Sequence, residues 1–221
     1  SVVAIQTLAF VAGLGAVAVV YAIASALRRH DPVLVLVLAG IVIGTLLGSC
    51  VSLLKYLADP YNQLPAITFW LLGSLASVTL ADVRAIVPSV LLGLVPLVLL
   101  RWRMNVMTLG EDEARALGVD THRLRLAVVA AATLMTAAVV SISGVVGWIG
   151  LLVPHLARFL VGPDFRRLLP ASILLGAGYL LGVDTLARTA ARIEIPLGVL
   201  TAFIGAPFFI WILAASRKGW S

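Results

Sequence analysis

Ser141 and Ser143, with His155 further along the chain, are the residue types of a nucleophilic hydrolase, in which an imidazole within hydrogen-bond reach takes the hydroxyl proton. Their placement works against that chemistry. Ser143 falls near the outer end of one apolar run and His155 toward the inner side of the next, and a Gly-x-Ser-x-Gly turn is absent. His30, His122 and His155 are also the usual side chains for a metal or haem iron. A metal needs ligands that converge, and no His, Cys, Asp and Glu cluster stands at ligand spacing, so the histidines read as structural or interfacial and no metal site is expected. Cys50 stands alone, which excludes an intrachain disulfide or a cysteine metal cluster. Lys55 and Lys218 lie outside any Gly-x-x-x-x-Gly-Lys-Ser/Thr phosphate loop, so any ATP-driven work has to draw on a partner. A passive channel is a further reading, without a ring-forming filter sequence or an intramembrane acidic series to support it.

The remaining chemistry is concentrated in residues 108–118, TLGEDEARALG, a charged stretch between long apolar runs. Thr108 with Glu111 three residues on has the form of a capping box. Asp112 and Glu113 complement the positive end of a helix, and Gly118 can take the left-handed closing position. The expected product is a helix of about nine residues, too short to persist alone in water. It must pack on something, and its carboxylates and Arg115 suit a protein partner; a solvated connector on the membrane surface is the alternative.

The elements that hold these residues are set by composition. With 62% hydrophobic and 12% charged residues and a mean hydropathy of +1.11, the chain is polytopic in a membrane. Apolar runs able to cross a core of roughly 30 Å are read at 3–27, 33–54, 84–100, 124–142, 144–162, 168–187 and 196–214, which makes seven spans. A shorter run at 64–80, broken by Gly73, Ser74, Ser77 and Thr79, is expected to be a re-entrant helix. That choice gathers 12 of the 16 cationic residues on one face, including Arg28, Arg29, Arg217 and Lys218, and leaves Lys55, Arg84, Arg188 and Arg192 on the other. Because the positive face is cytoplasmic, residues 108–118 and the C-terminus are expected inside and Ser1 outside. A start outside, with an odd span count, predicts that further spans precede residue 1. The net charge of +6 belongs to arginines at the membrane surface and gives no support for nucleic-acid binding.

Small residues four apart let helix backbones approach. Gly40, Gly44 and Gly48 form one such stripe, Gly144, Gly147 and Gly150 crowd the start of a later span, and Gly178 with Gly182 mark a third. Tight helix contact and a pathway role are both open for each. Pro88, Pro96, Pro154, Pro170, Pro196 and Pro207 are expected to kink or start helices.

The run GEDEARALGVD, followed by SGVVGWIGLLVPHLARFLVGPDFRRLLPAS, DTLAR and EIPLGVLTAFIGAPFFIWIL, resembles the permease subunits of ABC importers for iron chelates, haem and cobalamin. The second half matches motif by motif; residues 1–105 match mainly in hydropathy, span order and the stretch VLAGIVIG. The resemblance implies an all-α membrane bundle, the type II importer permease fold, of which this chain would supply seven of ten spans as one transmembrane domain over 1–221, with the coupling segment at 108–119 inside it. It implies that Leu109, Gly110, Glu111, Asp112, Glu113, Ala114, Arg115, Ala116, Leu117, Gly118 and Val119 dock into a groove on an ATPase subunit. It further implies a second permease copy or close paralogue, two ATPase subunits that use ATP and magnesium, and an external substrate-binding protein whose acidic residues meet Arg188. No cofactor would be bound by the permease itself, which would sit in the cytoplasmic membrane with a cytoplasmic C-terminus. Val33 to Leu54 and the re-entrant segment would line a path that opens by alternating access. An ion pair of Arg188 with Asp184 remains the local alternative, and Arg192 with Glu194 the opening of the last helix. Which chelate is carried is not legible in these motifs.

Overall fold

The structure is a computed structural model and describes residues 2–26 and 32–216. A backbone in hydrocarbon has no water to bond to, so long apolar runs close their hydrogen bonds within helices. Among the described residues the elements are α1 (Val2–Ala26), α2 (Pro32–Leu57), α3 (Gln63–Leu72), α4 (Leu80–Met107), α5 (Glu111–Ala116), α6 (Thr121–Ser143), α7 (Ile149–Val161), α8 (Phe165–Thr189) and α9 (Leu197–Ser216). The all-α expectation holds. Among the described residues five helices, α1, α2, α4, α6 and α8, are by length and composition alone able to cross a membrane. Within the run at 144–162 the helix α7 covers 13 residues, Ile149–Val161, a rise of about 20 Å, and Gly144 to Trp148 precede it as a loop. α9 runs for 20 residues, a rise of about 30 Å.

The segment 64–80 is a 10-residue helix, α3, that breaks at Gly73 and continues as a loop. Its end belongs to the next element. Thr79 accepts from the Asp82 backbone N–H while the Asp82 carboxylate accepts from the Thr79 N–H, a complete capping box that starts α4 ahead of the expected position 84.

The bundle is inverted relative to a soluble protein. Large apolar side chains such as Leu8, Leu54, Leu99 and Leu174 are exposed, while the buried positions are mostly small: Ala39, Ala131, Ala137, Ala138, Ala157 and Ala187. Where lipid is as apolar as leucine, helices associate through close backbone approach, and small residues permit it. α6 packs along α4 on one side and α1 on the other, and α7 packs on α8 and α9. Hydroxyls inside the spans bond to carbonyls of the preceding turn, as Thr45 does to Ile41, Ser49 to Thr45 and Thr133 to Val129. The bundle has two ends. One holds α5 with the junctions of α4 to α6 and α7 to α8; the other holds the junctions of α3 to α4, α6 to α7 and α8 to α9. Arg28, Arg29, His30, Arg217 and Lys218, part of the expected cytoplasmic charge cluster, lie outside the described residues, as does Ser1.

Candidate functional site

At the α5 end, α4 runs into Thr108, whose hydroxyl donates to the Asn105 carbonyl at 2.7 Å. Thr108 therefore closes α4 and does not cap α5. Gly110 occupies the N-cap with no side-chain cap bond, so the expected capping box is absent and α5 has six residues. Glu111 is committed elsewhere: its carboxylate accepts from Arg115, one turn on, at 3.1 Å and from Arg125 of α6. The other end of α5 behaves as read from the sequence. Gly118, at φ +81, lets its N–H donate to the Arg115 carbonyl and the Val119 N–H to the Ala114 carbonyl, both at 2.9 Å. These are the two bonds of a Schellman closure, and the accompanying apolar contact joins Ala114 and Val119 to Val106 and Leu124.

This leaves α5 with two faces. Ala114 is fully buried, and Arg115 donates through Nε to the hydroxyl of buried Thr121 at 3.2 Å. Leu109 and Leu117 are 62% and 60% exposed, beside the almost fully exposed Asp112 side chain. The exposed face of this short polar segment is thus apolar at two leucines and acidic beside them. Nearby, Asn105 ties α4 to the start of α8: its amide donates to Asp164 at 2.6 Å and its carbonyl oxygen accepts the Phe165 N–H at 2.8 Å. The Arg166 backbone N–H, with the Asn105 amide next in effect, holds the Asp164 carboxyl below the usual carboxylate range.

At the opposite end three loops interlock through backbone. The Ser74 N–H donates to the Ser143 carbonyl at 2.9 Å and the Leu197 N–H to the Gly73 carbonyl at 3.0 Å. Gly73 and Gly144 both have positive φ, and a Cβ on Gly144 would strike the Trp70 carbonyl. Glu194 accepts the Ser74 hydroxyl at 2.7 Å, so it braces the α3 to α4 loop as well as preceding α9. Arg188 bonds through Nε to Asp184 at 2.8 Å, the local pair the spacing allowed, and its side chain stays 44% exposed. The hydrolase geometry is not present. Ser141 and Ser143 bond to backbone carbonyls, and His155 sits edge-on to Phe209 with ring centroids 5.9 Å apart. His122 stacks on Tyr21 of α1.

The FecCD transport family matches residues 1–215. The chain belongs to that family. Among its relatives are the cobalamin import permease BtuC of Halobacterium salinarum, 42% identical over 96% of this chain and 56% of that protein, and the molybdate import permease MolB of Haemophilus influenzae, 40% identical over 94% and 61%. The haemin transport permease HmuU of Yersinia pestis is 40% identical over 86% of this chain and 57% of its own length. A solved structure described as an inward-facing metal-chelate type ABC transporter superposes with a TM-score of 0.90 at 39% identity, covering 97% of this chain and 68% of that one. This FecCD chain thus spans between 56 and 61% of the length of the first two relatives. One of these relatives is named for molybdate, which is not among the chelates of the resemblance.

Several contacts that organise this FecCD domain were not legible in its motifs. Asn105, Gln6, which donates to Asp82 at 3.0 Å, and Ser74 are polar residues whose partners lie far along the chain. Of the expected glycine groups, Gly144 alone is in close contact, and other close glycines lie outside them. Gly93 meets Met135 and the Ala131 carbonyl, and Gly13 meets Ala137, whereas a Cβ on Gly40, Gly44, Gly48, Gly147, Gly150, Gly178 or Gly182 meets nothing of the described chain within 4 Å.

Proposed function

We propose that this chain forms part of the permease of an ATP-driven importer in the cytoplasmic membrane, and that residues 109–119 dock on a separate ATPase subunit. The observation that carries the reading is the split surface of α5: one face is buried against α4 and α6, the other presents exposed Leu109 and Leu117 with Asp112 to the aqueous side. A contact meant to transmit force needs both, since a docking edge without an anchor would slide. In this reading the α5 end and the C-terminus are cytoplasmic, and the loop end holding Gly73, Gly144 and Glu194 faces outward. α3, about 15 Å long at 10 residues, enters from that side and turns back as a re-entrant helix.

Arg188, half-exposed at the outward end, meets acidic residues of the external binding protein, with Asp184 orienting its guanidinium. Two permease copies and two ATPases complete the assembly. The α2 stripe of Gly40, Gly44 and Gly48 is open to the second copy and the central path, and its Thr and Ser hydroxyls bond internally. Such a path, without fixed charge, binds a bulky cargo weakly and releases it as the helices alternate access. The cargo is an iron-siderophore, haem or cobalamin-type chelate. Single cysteines placed from 111 to 118 and tested against the co-expressed ATPase should crosslink, most strongly at Leu117; a complete absence of crosslinks refutes the docking. Uptake of vitamin B12, haemin, ferric siderophore and molybdate by cells carrying the full importer identifies the cargo.

A further inference from the structure

We infer that Glu111 and Arg125 form a bracket that makes α6 the transmitting rod of the permease; the inference rests on the docking reading above and gives the Glu111 carboxylate, with Arg125, a role in force transfer within the permease. Glu111 stands in the first turn of α5 and Arg125 near the start of α6, and their side chains are 30% and 17% exposed. The carboxylate is shared between two guanidiniums, those of Arg115 and Arg125. A pair this sheltered is screened less than a surface pair and keeps its geometry.

The reason for a bracket lies in the size of α5. A helix of six residues anchored only through Ala114 and Val119 can roll about that apolar contact. Glu111 to Arg125 and Arg115 to Thr121 pin it to α6 at separate points away from that contact, so a push on Leu109 or Leu117 moves α6 instead of rotating α5. α6 then carries the displacement along its 23 residues, between α4 and α1, to Ser143 and Gly144. There the Ser143 carbonyl holds the Ser74 N–H and Gly144 abuts the Trp70 carbonyl, so the far end of the rod acts on the end of α3 and the loop after it. A contiguous chain of contacts is only a route until perturbing one member changes the response at the other end.

The test uses the complete permease and ATPase assembly in lipid nanodiscs, in a Cys50→Ser background. Leu117→Cys reports docking by crosslinking to the ATPase, and a nitroxide on Ser77→Cys, in the exposed loop before α4, reports the far end when ATP and vanadate trap the nucleotide-bound state. Arg125→Ala, the bulkier Arg125→Met and Glu111→Ala are expected to keep the Leu117 crosslink and to cut the trapping-induced change at Ser77 by about fivefold or more. Arg125→Lys, which keeps the charge, should retain most of it. Glu111→Ala combined with Arg125→Ala should be no worse than either alone, as for two halves of one device. A full response at Ser77 in Arg125→Ala or Arg125→Met, or a double variant whose loss is the product of the single losses, overturns the bracket. A parent without any Leu117 crosslink instead overturns the docking reading itself.

Discussion

Replacing Gly118 by alanine isolates the backbone closure of α5 from everything around it. A Cβ at this position meets nothing within 4 Å, so no clash confuses the result. What changes is the cost of holding φ +81, which for a residue with a side chain is roughly 1–2 kcal/mol. The stiffer unfolded segment returns about 0.4–1 kcal/mol of that. The net destabilisation of the closed segment is then about 1 kcal/mol, a factor of about five in its opening equilibrium. The amides that report opening are those of Gly118 and Val119, whose bonds to Arg115 and Ala114 exist only while the closure does. Hydrogen–deuterium exchange on purified protein in nanodiscs should therefore show their exchange about fivefold faster in Gly118→Ala, with amides in the middle of α6 unchanged. Gly118→Asn, which tolerates the left-handed region better, should fall between. Equal exchange in all three proteins would mean that α5 is held by its side chains alone and that the closure contributes nothing.

Asn105→Ala removes both ties between α4 and α8 and leaves the Phe165 N–H without its side-chain acceptor, so thermal stability in detergent should fall by the equivalent of about 1–3 kcal/mol. The Asp164 carboxyl sits below its ordinary value, so its contribution is complete above that value, about 3.9, and is lost as pH falls through the depressed folded value. The parent should accordingly exceed Asp164→Asn in unfolding temperature at pH 6, with the gap closing below about pH 4. Gly144→Ala drives a methyl into the Trp70 carbonyl at positive φ and should cost at least about 2 kcal/mol, whereas Gly178→Ala, facing open space, should leave the melting temperature unchanged or raise it.

How much was legible follows from what each signal measures. Hydropathy measures transfer to lipid, and it located the long helices, most within about three residues, though it ended α4 seven residues early. The run at 144–162 is apolar from its first residue to Pro154, but Gly144 to Trp148 form the loop that meets Gly73, and apolarity alone does not distinguish a buried loop from a helix end. Capping signals are local and ambiguous for the same reason. Thr108 and Glu111 have the spacing of a box, as do Thr79 and Asp82; only the second pair makes one, because Thr108 closes the preceding helix and Glu111 is drawn to Arg125. The closure at Gly118 was readable because it needs only local residues: one glycine, one small residue before it and one apolar residue after.

Glycine stripes illustrate a limit specific to membranes. In water an exposed apolar helix face implies a missing partner, but in lipid it implies nothing, since hydrocarbon satisfies leucine as well as another helix does. A glycine is different: it gives up side-chain contact with lipid and adds backbone freedom to the unfolded chain, a cost of about 0.5–1 kcal/mol relative to alanine in a helix. α2 carries that cost at Gly40, Gly44 and Gly48 without any close contact from the described chain, and beside it Thr45, Ser49 and Ser52 turn their hydroxyls onto their own helix. Gly13 and Gly93 show what the same cost obtains elsewhere in this bundle, namely the approach of α1 and α4 to α6. An α2 surface that spends backbone stability on smoothness while neutralising its polar groups is therefore better explained by something that passes along it or packs closely on it than by lipid.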